Sequence, residues 1–511
     1  MASGRAARGL PARSLDRAAR SPGKRRRGLT VTIAGDAARG AAATLGGQWI
    51  RFVLQLGALA VLARILNPDD YGVVSMVLAI AGVATLLGDF GLSMASIQSS
   101  EVTEAQRTNL LWINVVLGLV LGGIVFLLAV PIAAFYGRAE LIPVCQVLSL
   151  VFVVTSVTAQ FKAEVSRRFR FRWLAGSDVL AQLVASTGAV LLALAGAGYW
   201  ALVAQQLLVA VTTLVVVVIG AGWLPGLPSR TGGIRSFLGF GANTVGVQLV
   251  NYISGNADSV LIGRVWGAGA LGVYDRAYQI FRMPLQQIAA PMTRVAFPVL
   301  SRMKDSPEFE RYVQRAQLVL AYVMGGVFFA AAALADPIME IALGPGWDDS
   351  KTIFRILAIG GVFQALGFVY YWVFLAKALT GLQLRFSIVS RSLMVVFMAV
   401  GVVWGPVGVA VGSTVGLVLN WVVLSFFAVP RAGIEVRALL VQAARPLALG
   451  VVIVILSLPA LGLSAGLGAV GQLLIVGAID LVIAALAVLL IRAYREDARL
   501  LQHTILAIRR R

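Results

Sequence analysis

The sequence predicts an all-α polytopic membrane protein with about 14 transmembrane helices. Hydrophobic residues make up 59% of its 511 residues and charged residues only 13%, about half the share found in soluble domains. The apolar residues occur in blocks of about 20, the length at which a helix crosses the hydrocarbon layer of a bilayer. Short polar breaks separate the blocks, so the pattern predicts a series of membrane-spanning helices and not a soluble enzyme.

The blocks fall into two series of six and a final pair. The first series predicts spans near 46–66, 71–90, 110–135, 141–162, 175–195 and 199–221, and the second near 237–262, 276–298, 316–335, 353–376, 386–404 and 407–429. The final pair lies near 446–463 and 467–491. The predicted domains are a basic disordered tail at 1–39, six-helix bundles at 40–222 and 236–429, an extra helix pair at 441–491 and a basic tail at 492–511.

Most of the net charge of +20 lies in the two tails. Residues 1–39 carry ten basic and two acidic side chains, and residues 492–511 carry six basic and two acidic ones. The breaks between spans alternate between basic stretches, such as 162–172, and neutral or acidic ones, such as 67–70 and 336–349. Because basic breaks face the cytoplasm, we predict a multi-pass protein of the cell (inner or plasma) membrane with both termini cytoplasmic. The pattern also indicates contact with anionic membrane lipid and disfavours a nucleic-acid partner.

The chain has a single cysteine, Cys145, and a single histidine, His503. They exclude an intrachain disulfide and a metal site built from cysteines and histidines, so we predict no metal and no cofactor. Every break between spans is too short to fold into a catalytic domain, and we therefore predict that the protein is not an enzyme.

The two six-span series resemble each other. Residues 63–73 align without gaps with residues 263–273. At this offset of 200 the identical pairs are Arg64 and Arg264, Gly72 and Gly272, Val73 and Val273, and, further upstream, Gln48 and Gln248. Each series has an even number of spans, so the two copies share one orientation and form a parallel repeat about an axis along the membrane normal. Two facing bundles are typical of a transporter with its substrate between them.

Span 8 carries the most polar stripe. Gln279, Arg282, Gln286 and Thr293 lie at intervals of 3, 4 and 7 residues, which places them on one helix face. The same span contains Arg294 and three prolines, at 284, 291 and 298, each of which removes a backbone hydrogen bond. We interpret this helix as the bent wall of a cavity for an anionic substrate. The alternative is a helix that lies on the membrane surface.

Other polar residues within spans are costly in lipid and mark further candidates. Arg51 in span 1 either reaches lipid phosphate or belongs to an anion site, and Asp89 in span 2 either pairs with a basic neighbour or couples transport to an ion. The predicted substrate-binding residues are Arg51, Gln248, Asn251, Gln279, Arg282, Gln286 and Arg294, the candidates for ion coupling are Asp89 and Asp258, and the predicted hinges are Gly88, Gly91, Pro284 and Pro291.

Four segments resemble a known family. LARILNPDDYGVVSMV (62–77), GDFGLSMASIQ (88–98), YDRAYQIFRMPLQQIAAPMTRVAFPVLSRM (274–303) and LADPIMEIALGPGW (334–347) are similar to the polysaccharide exporters. These are the O-antigen, colanic-acid and teichuronic-acid type flippases of the multidrug/oligosaccharidyl-lipid/polysaccharide superfamily. The resemblance covers about residues 45–430.

The resemblance implies two six-helix bundles that form a V around a cavity lined by spans 1, 2, 7 and 8. It also implies a substrate, a polyprenyl-pyrophosphate-linked glycan, that moves from the cytoplasmic to the outer leaflet by alternating access, with glycan assembly proteins as partners. The cationic cavity residues of the family fall here on Arg51, Arg282 and Arg294.

The chemistry of these side chains agrees with that substrate. Arginine offers a planar fork that suits phosphate oxygens, and glutamine and asparagine suit sugar hydroxyls. No phosphate-binding loop of the form GxxxxGK[ST] occurs, so ATP is not the direct energy source, and coupling to H⁺ or Na⁺ stays open. The alternatives are a cation-coupled drug or metabolite antiporter, which would favour acidic cavity residues, and a membrane glycan polymerase or ligase, which would need a large outer loop.

Overall fold

The computed structural model describes residues 44, 46–87, 96, 102–228, 249 and 252–509. Within these ranges the chain forms helices joined by short turns, and they contain no β-strand. The all-α fold class is thereby confirmed. The predicted tail at 1–39 lies outside the described residues.

The first half of the chain forms a bundle in which long helices pack side by side. Its helices are α1 (Gly46–Ile65), α2 (Pro68–Ala81), α3 (Val83–Leu87), α4 (Glu104–Leu127), α5 (Ala129–Tyr136), α6 (Leu141–Arg167), α7 (Phe171–Leu194) and α8 (Trp200–Ala221). A stripe of small buried residues lets α7 approach α8 closely, with one residue every fourth position: Ser177, Ala181, Ala185, Ala189 and Ala193.

The second half begins with a long helix that continues through a π-helix. Its elements are α9 (Ala257–Pro284), the π-helix (Leu285–Ala289), α10 (Ala290–Met303), α11 (Phe309–Ala333), α12 (Ala335–Leu343), α13 (Asp348–Ala376), α14 (Thr380–Gly401) and α15 (Gly405–Val423). The extra pair follows as α16 (Val436–Leu463) and α17 (Gly468–Leu490). Because α16 packs on α11, the pair is attached to the second half.

Ten helices in the described ranges are long and apolar enough to cross a membrane. One of them, Gly381–Ala428, is 48 residues long and contains two predicted spans, which separate where Gly405 adopts a φ of 77°. The helix α2 has only 14 residues, and most of the predicted span 237–262 lies outside the described residues. A polytopic membrane protein is confirmed, and the number of fourteen spans stays a prediction.

The two halves pack together through an extensive contact between α2 and α9. A Cβ atom at Gly72 would lie 1.8 Å from the carbonyl oxygen of Ala268, and one at Gly272 would lie 1.8 Å from that of Pro68. Any side chain there would force the helices apart, so both positions require glycine. The two glycines are the pair related by the sequence offset of 200, so equivalent residues of the two repeats meet at the centre of the molecule.

The predicted breaks at either side of this contact have clear local causes. Asn67 caps α2 by accepting a hydrogen bond from the Asp70 backbone at 3.0 Å, while the Asp70 carboxylate accepts one from the Asn67 backbone at 3.1 Å, a reciprocal cap that starts a helix. Within α9 the chain turns at Gly267, whose φ of 82° and ψ of −174° favour glycine. This turn separates the predicted spans 7 and 8.

The prolines of span 8 produce a change of helix type. At the end of the π-helix the backbone N–H of Ala290 donates to the carbonyl of Leu285, a spacing of five residues instead of four. Pro291 follows directly and cannot donate. A second π-helix (Leu424–Ala428) precedes Pro430 at the same distance. In both places the wider turn accommodates the missing donor, so the predicted break in span 8 is a π-helix within a continuous helix.

The predicted basic tail at 492–511 is largely helical. Its residues form α18 (Arg492–Arg509). Asp497 on this helix is buried, lies 2.9 Å from the guanidinium of Arg445 and accepts a hydrogen bond from the Tyr322 hydroxyl at 2.8 Å. These contacts fix the start of α18 to α11 and α16.

Candidate substrate cavity

A polar cavity of about 440 Å³ lies between the two halves. Its walls come from α1, α2, α7 and α8 on one side and from residues 252–259, α9 and the π-helix on the other. We call the end of the molecule that carries residues 67–70 and 336–349 the acidic end, and the end that carries residues 162–172 and 302–315 the basic end. The predicted spans 1, 2, 7 and 8 all contribute to the walls, as the family resemblance implies.

Four of the seven predicted substrate-binding residues line this cavity: Arg51, Gln279, Arg282 and Gln286. Gln248 and Asn251 lie outside the described residues. Arg294 is exposed and is not among the residues that line the cavity, so its predicted role in binding stays a prediction. It lies eight residues beyond Gln286, about 12 Å further along the helix axis towards the basic end.

The polar stripe on span 8 has a counterpart on the opposite wall. Gln48, Arg51 and Gln55 line the cavity from α1 at intervals of 3 and 4 residues, the same spacing as Gln279, Arg282 and Gln286. We call these two sets the Gln-Arg-Gln stripes. Near the basic end the amide of Gln48, in the first stripe, donates a hydrogen bond of 3.0 Å to the side-chain carbonyl of Gln287, which follows the second stripe directly.

The two stripe arginines differ in their neighbours. The guanidinium of Arg282 lies 5.5 Å from the ring centroid of Tyr278, and within the described part of the chain no carboxylate forms an ion pair with it. Arg51 lies 3.9 Å from a carboxylate oxygen of Asp178, which Lys162 approaches more closely, at 3.4 Å. Among the described residues Arg282 therefore has no ion-pair partner, although its charge interacts with that of Asp258, while Arg51 shares Asp178 with Lys162.

A third arginine in the cavity was not predicted. Arg276 is ion-paired with Asp275 at 2.6 Å and lies 4.4 Å above the ring of Tyr71. The Ser75 hydroxyl donates to the same carboxylate at 2.8 Å. Ser75 and Asp275 are again 200 residues apart, so the alignment of the repeat was the one signal in the sequence that could have brought them together.

Glutamines from several other helices also reach the cavity, and the sequence reasoning missed them. They are Gln182 on α7, Gln205 and Gln206 on α8, and Gln287 in the π-helix. Gln205 and Gln206 sit in an otherwise apolar block, whereas Gln182 lies one helical turn from both Asp178 and Ser186. Only the packing of the first half turns them towards the same space.

The halves are closed together at the acidic end. The guanidinium of Arg64 donates to the backbone carbonyl of Ile341 at 2.7 Å, and the Trp347 indole donates to that of Ala63 at 3.0 Å. Nearby, Asp69 accepts two hydrogen bonds of 2.8 Å from Arg138, and this carboxylate raises the pKa of Arg138 above its ordinary value. With the glycine contact of α2 and α9, these bonds separate the cavity from the acidic end.

The structure describes one of the two candidates for ion coupling, Asp258, and two of the four predicted hinge residues, Pro284 and Pro291. Asp258 is buried behind the cavity wall, where the Tyr274 hydroxyl donates to it at 2.8 Å. Pro284 ends α9, and Pro291 lies just beyond the π-helix. Asp89, Gly88 and Gly91 lie outside the described residues, so their predicted roles stay predictions.

This fold and cavity define a class of protein: a multi-pass membrane transporter with two helical halves around a polar cavity. The chain belongs to the family described as polysaccharide biosynthesis protein, which matches residues 61–352. The resemblance found in the sequence is thereby confirmed, and the protein is a transporter of polysaccharide biosynthesis and not an enzyme.

Two relatives and one solved structure show how far the similarity extends. The lipopolysaccharide biosynthesis protein WzxC of Escherichia coli K12 is 28% identical over 448 residues, which cover 84% of this chain and 88% of the relative. The teichuronic acid biosynthesis protein TuaB of Bacillus subtilis 168 is 27% identical over 61% of this chain and 68% of the relative. The lipid II flippase MurJ, in an inward closed conformation, has the same fold with a TM-score of 0.67 at 13% identity, over 88% of this chain and 99% of that structure.

Proposed function

We propose that the protein flips a polyprenyl-pyrophosphate-linked oligosaccharide or polysaccharide precursor from the cytoplasmic to the outer leaflet, for the synthesis of a cell-surface polysaccharide. The pair of Gln-Arg-Gln stripes carries this proposal. The two arginines offer bidentate hydrogen bonds to phosphate oxygens, and the glutamine amides offer donors and acceptors to sugar hydroxyls. Both chemistries occur in one cavity between two halves.

The charge of the cavity favours an anionic cargo over a cationic one. Arg51, Arg276 and Arg282 line it together with one aspartate, Asp275, whose charge is already matched by Arg276. A cationic drug would meet net positive charge and no unpaired carboxylate among the described lining residues. The drug-antiporter alternative is therefore disfavoured by the cavity itself.

Alternating access gives the cargo a route. With the basic end in the cytoplasm, the contacts at the acidic end close the cavity towards the outside. The headgroup enters from the cytoplasmic leaflet, while its lipid tail stays in the bilayer. Separation of α2 from α9 then opens the acidic end as the basic end closes. Asp258 is the described candidate for coupling this change to H⁺ or Na⁺, because it is buried directly behind the cavity wall.

The test is flipping in proteoliposomes. Purified protein is reconstituted with a fluorescent lipid-pyrophosphate-linked oligosaccharide, and the fraction that becomes accessible in the opposite leaflet is measured against protein-free vesicles. The same vesicles are loaded in parallel with a cationic dye. We expect flipping of the glycan lipid and no transport of the dye. Dye transport without glycan flipping would favour the antiporter and contradict the proposal.

A further inference from the structure

A second pocket, of about 720 Å³, lies at the acidic end, beyond the contact between α2 and α9. Asn67, Pro68 and Asp69 line it from the start of α2, and Gly269, Ala270 and Val273 line it from α9. Tyr71 and Asp275, each two residues further along its helix and therefore on roughly the opposite face, line the central cavity. The two spaces therefore share two helices and lie on different faces of the pair, with the close contact at Gly72 and Gly272 between them. We call this second space the exit pocket.

Two tryptophans, Trp266 and Trp404, provide the aromatic surface of the exit pocket. Trp266 is held in place because its indole donates to the backbone carbonyl of Val402 at 2.7 Å, and it remains 49% exposed. Trp404 is 70% exposed. Gly405 follows it, and a Cβ atom there would lie 3.8 Å from the ring of Trp266. Two large aromatic surfaces thus remain uncovered in a mostly apolar pocket that also contains the polar side chains of Asn67 and Asp349.

The polar groups of the exit pocket differ in charge from those of the central cavity. Its described lining contains the carboxylates of Asp69 and Asp349 and no basic side chain, whereas the central cavity contains three arginines. Asp69 is occupied by Arg138, while Asp349 is exposed at the start of α13. Carboxylates accept hydrogen bonds from hydroxyl groups and repel phosphate. The exit pocket therefore suits a neutral polyhydroxyl ligand and rejects a pyrophosphate.

We propose that the exit pocket binds neutral sugar units of the glycan. The apolar C–H face of a sugar ring stacks on Trp404 and Trp266, as aromatic side chains with a polar handle permit at wet sites, and Asp349 accepts hydrogen bonds from its hydroxyls. This inference rests on the proposed function, since it takes the glycan from that cargo. It adds a second site with the opposite charge, which holds the sugars and releases the pyrophosphate as the acidic end opens.

The test uses the glycan alone. Mild acid releases the oligosaccharide, without lipid or phosphate, from the lipid-linked pool of the producing cell, and saturation-transfer NMR detects its binding to the full-length protein in nanodiscs. We expect transfer to the sugar C–H protons that inorganic pyrophosphate does not reduce. The transfer should fall about fivefold in Trp404→Ala, as expected for the loss of one aromatic contact of about 1 kcal/mol, and should persist in Trp404→Tyr.

Two controls separate this proposal from others. Trp112→Ala removes a tryptophan that is also exposed but lies outside both spaces, and should leave the transfer unchanged. Arg282→Ala should lower the initial rate of flipping by about tenfold or more and keep the transfer, so a failure of the proposed function can be told apart from a failure of the exit-pocket proposal. Absence of transfer in the wild type, or equal transfer in Trp404→Ala, would overturn the proposal. A Trp404→Ala protein that binds the glycan normally but inserts poorly into membranes would identify Trp404 as a lipid anchor and overturn it as well.

Discussion

At the scale of single residues, the ability of the cavity to bind an anion depends on which of its arginines lack an acidic partner. Arg276 is neutralised by Asp275, and Arg51 shares Asp178 with Lys162. Arg282 lies beside Tyr278 without such a partner in the described part of the chain. Because Arg282 is exposed on the cavity wall and forms no ion pair with the described residues, it is the cavity arginine that is most available to a phosphate.

Replacing Arg282 therefore tests the anion site. Arg282→Ala should lower the initial rate of flipping by about tenfold or more, because a charge-assisted hydrogen bond contributes about 1.5–3 kcal/mol. Arg282→Lys should give an intermediate rate, since the charge remains and the fork is lost. Arg294→Ala is the matched control, on the same span but outside the cavity. Equal losses in Arg282→Ala and Arg294→Ala would contradict a specific role of the cavity.

A second prediction concerns Gly72. Because a Cβ atom would lie 1.8 Å from a backbone carbonyl, Gly72→Ala must push α2 away from α9 and favour the state that is open at the acidic end. A membrane-impermeant thiol reagent should then label Val74→Cys, in the central cavity, faster from the side of the acidic end.

The control for this prediction is Gly269→Ala, where the nearest neighbouring atom is 3.9 Å away. It should leave the labelling rate unchanged. Identical rates in the two glycine variants would show that the contact between α2 and α9 does not limit access.

The sequence predicted some of these residues and not others for a physical reason. Gln279, Arg282 and Gln286 were found because a helix repeats every 3.6 residues and the stripe is therefore visible along the chain. Gln205 and Gln206 were missed because two adjacent polar residues in an otherwise apolar span carry no such pattern, and the spacing of Gln182 from Asp178 and Ser186 does not show which space that helix face lines. Only the packing of α7 and α8 directs them to the cavity.

At the scale of elements, the π-helix of span 8 is the feature that sequence reasoning described least well. The prolines predicted a break in the hydrogen-bond ladder, and a kink and a π-helix satisfy that requirement equally well. The structure has the wider turn at Leu285–Ala289, in the wall of the cavity. In a π-helix each backbone hydrogen bond spans five residues instead of four. A return to the ordinary α-helical spacing would change the shape of the helix at this point.

Pro291→Ala tests whether this element moves. The alanine supplies a backbone N–H to the carbonyl of Gln287, so the π-helix should convert to regular α-helix. We expect flipping to fall several-fold while the affinity for the lipid-linked glycan, measured by binding in nanodiscs, stays unchanged. Pro430→Ala is the control, because the same proline and π-helix occur there outside the cavity. Unchanged flipping in Pro291→Ala would mean that the halves move as rigid bodies.

At the scale of the whole molecule, the internal repeat explains how the halves meet. Gly72 with Gly272, and Ser75 with Asp275, are related by the offset of 200 that was visible in the sequence, and they lie at the interface of α2 and α9. The offset predicted which residues correspond. It could not predict that corresponding residues would touch. Corresponding residues touch only when their helices lie next to the axis that relates the two repeats, and the sequence does not show which helices do.

The orientation of the molecule in the membrane follows from its charged breaks and is testable by labelling. Cys145 is buried and donates to a backbone carbonyl, so Cys145→Ser gives a cysteine-free background with a similar donor. In that background, Glu340→Cys and Asp349→Cys should react with an impermeant reagent from outside the cell. Asp305→Cys and Glu308→Cys should react only after the membrane is permeabilised. The reverse result would invert the proposed direction of transport.

The central claim is that the two halves must part at the acidic end for the glycan lipid to cross. A Cβ atom at Gly263 would lie 3.3 Å from the γ-carbon of Met76 across the interface of α2 and α9, so the sulfur of a cysteine at position 76, which takes the place of that carbon, lies within reach of a cysteine at position 263. The ring of Tyr136, 2.9 Å from the same Cβ position, must shift slightly to admit it. The measurement is flipping by the Met76→Cys/Gly263→Cys protein, without Cys145, in its oxidised and reduced forms, with each single variant as a control. We predict that the oxidised protein binds the glycan lipid and does not flip it, and that a reducing agent restores flipping. Undiminished flipping by fully cross-linked protein would contradict alternating access through this cavity.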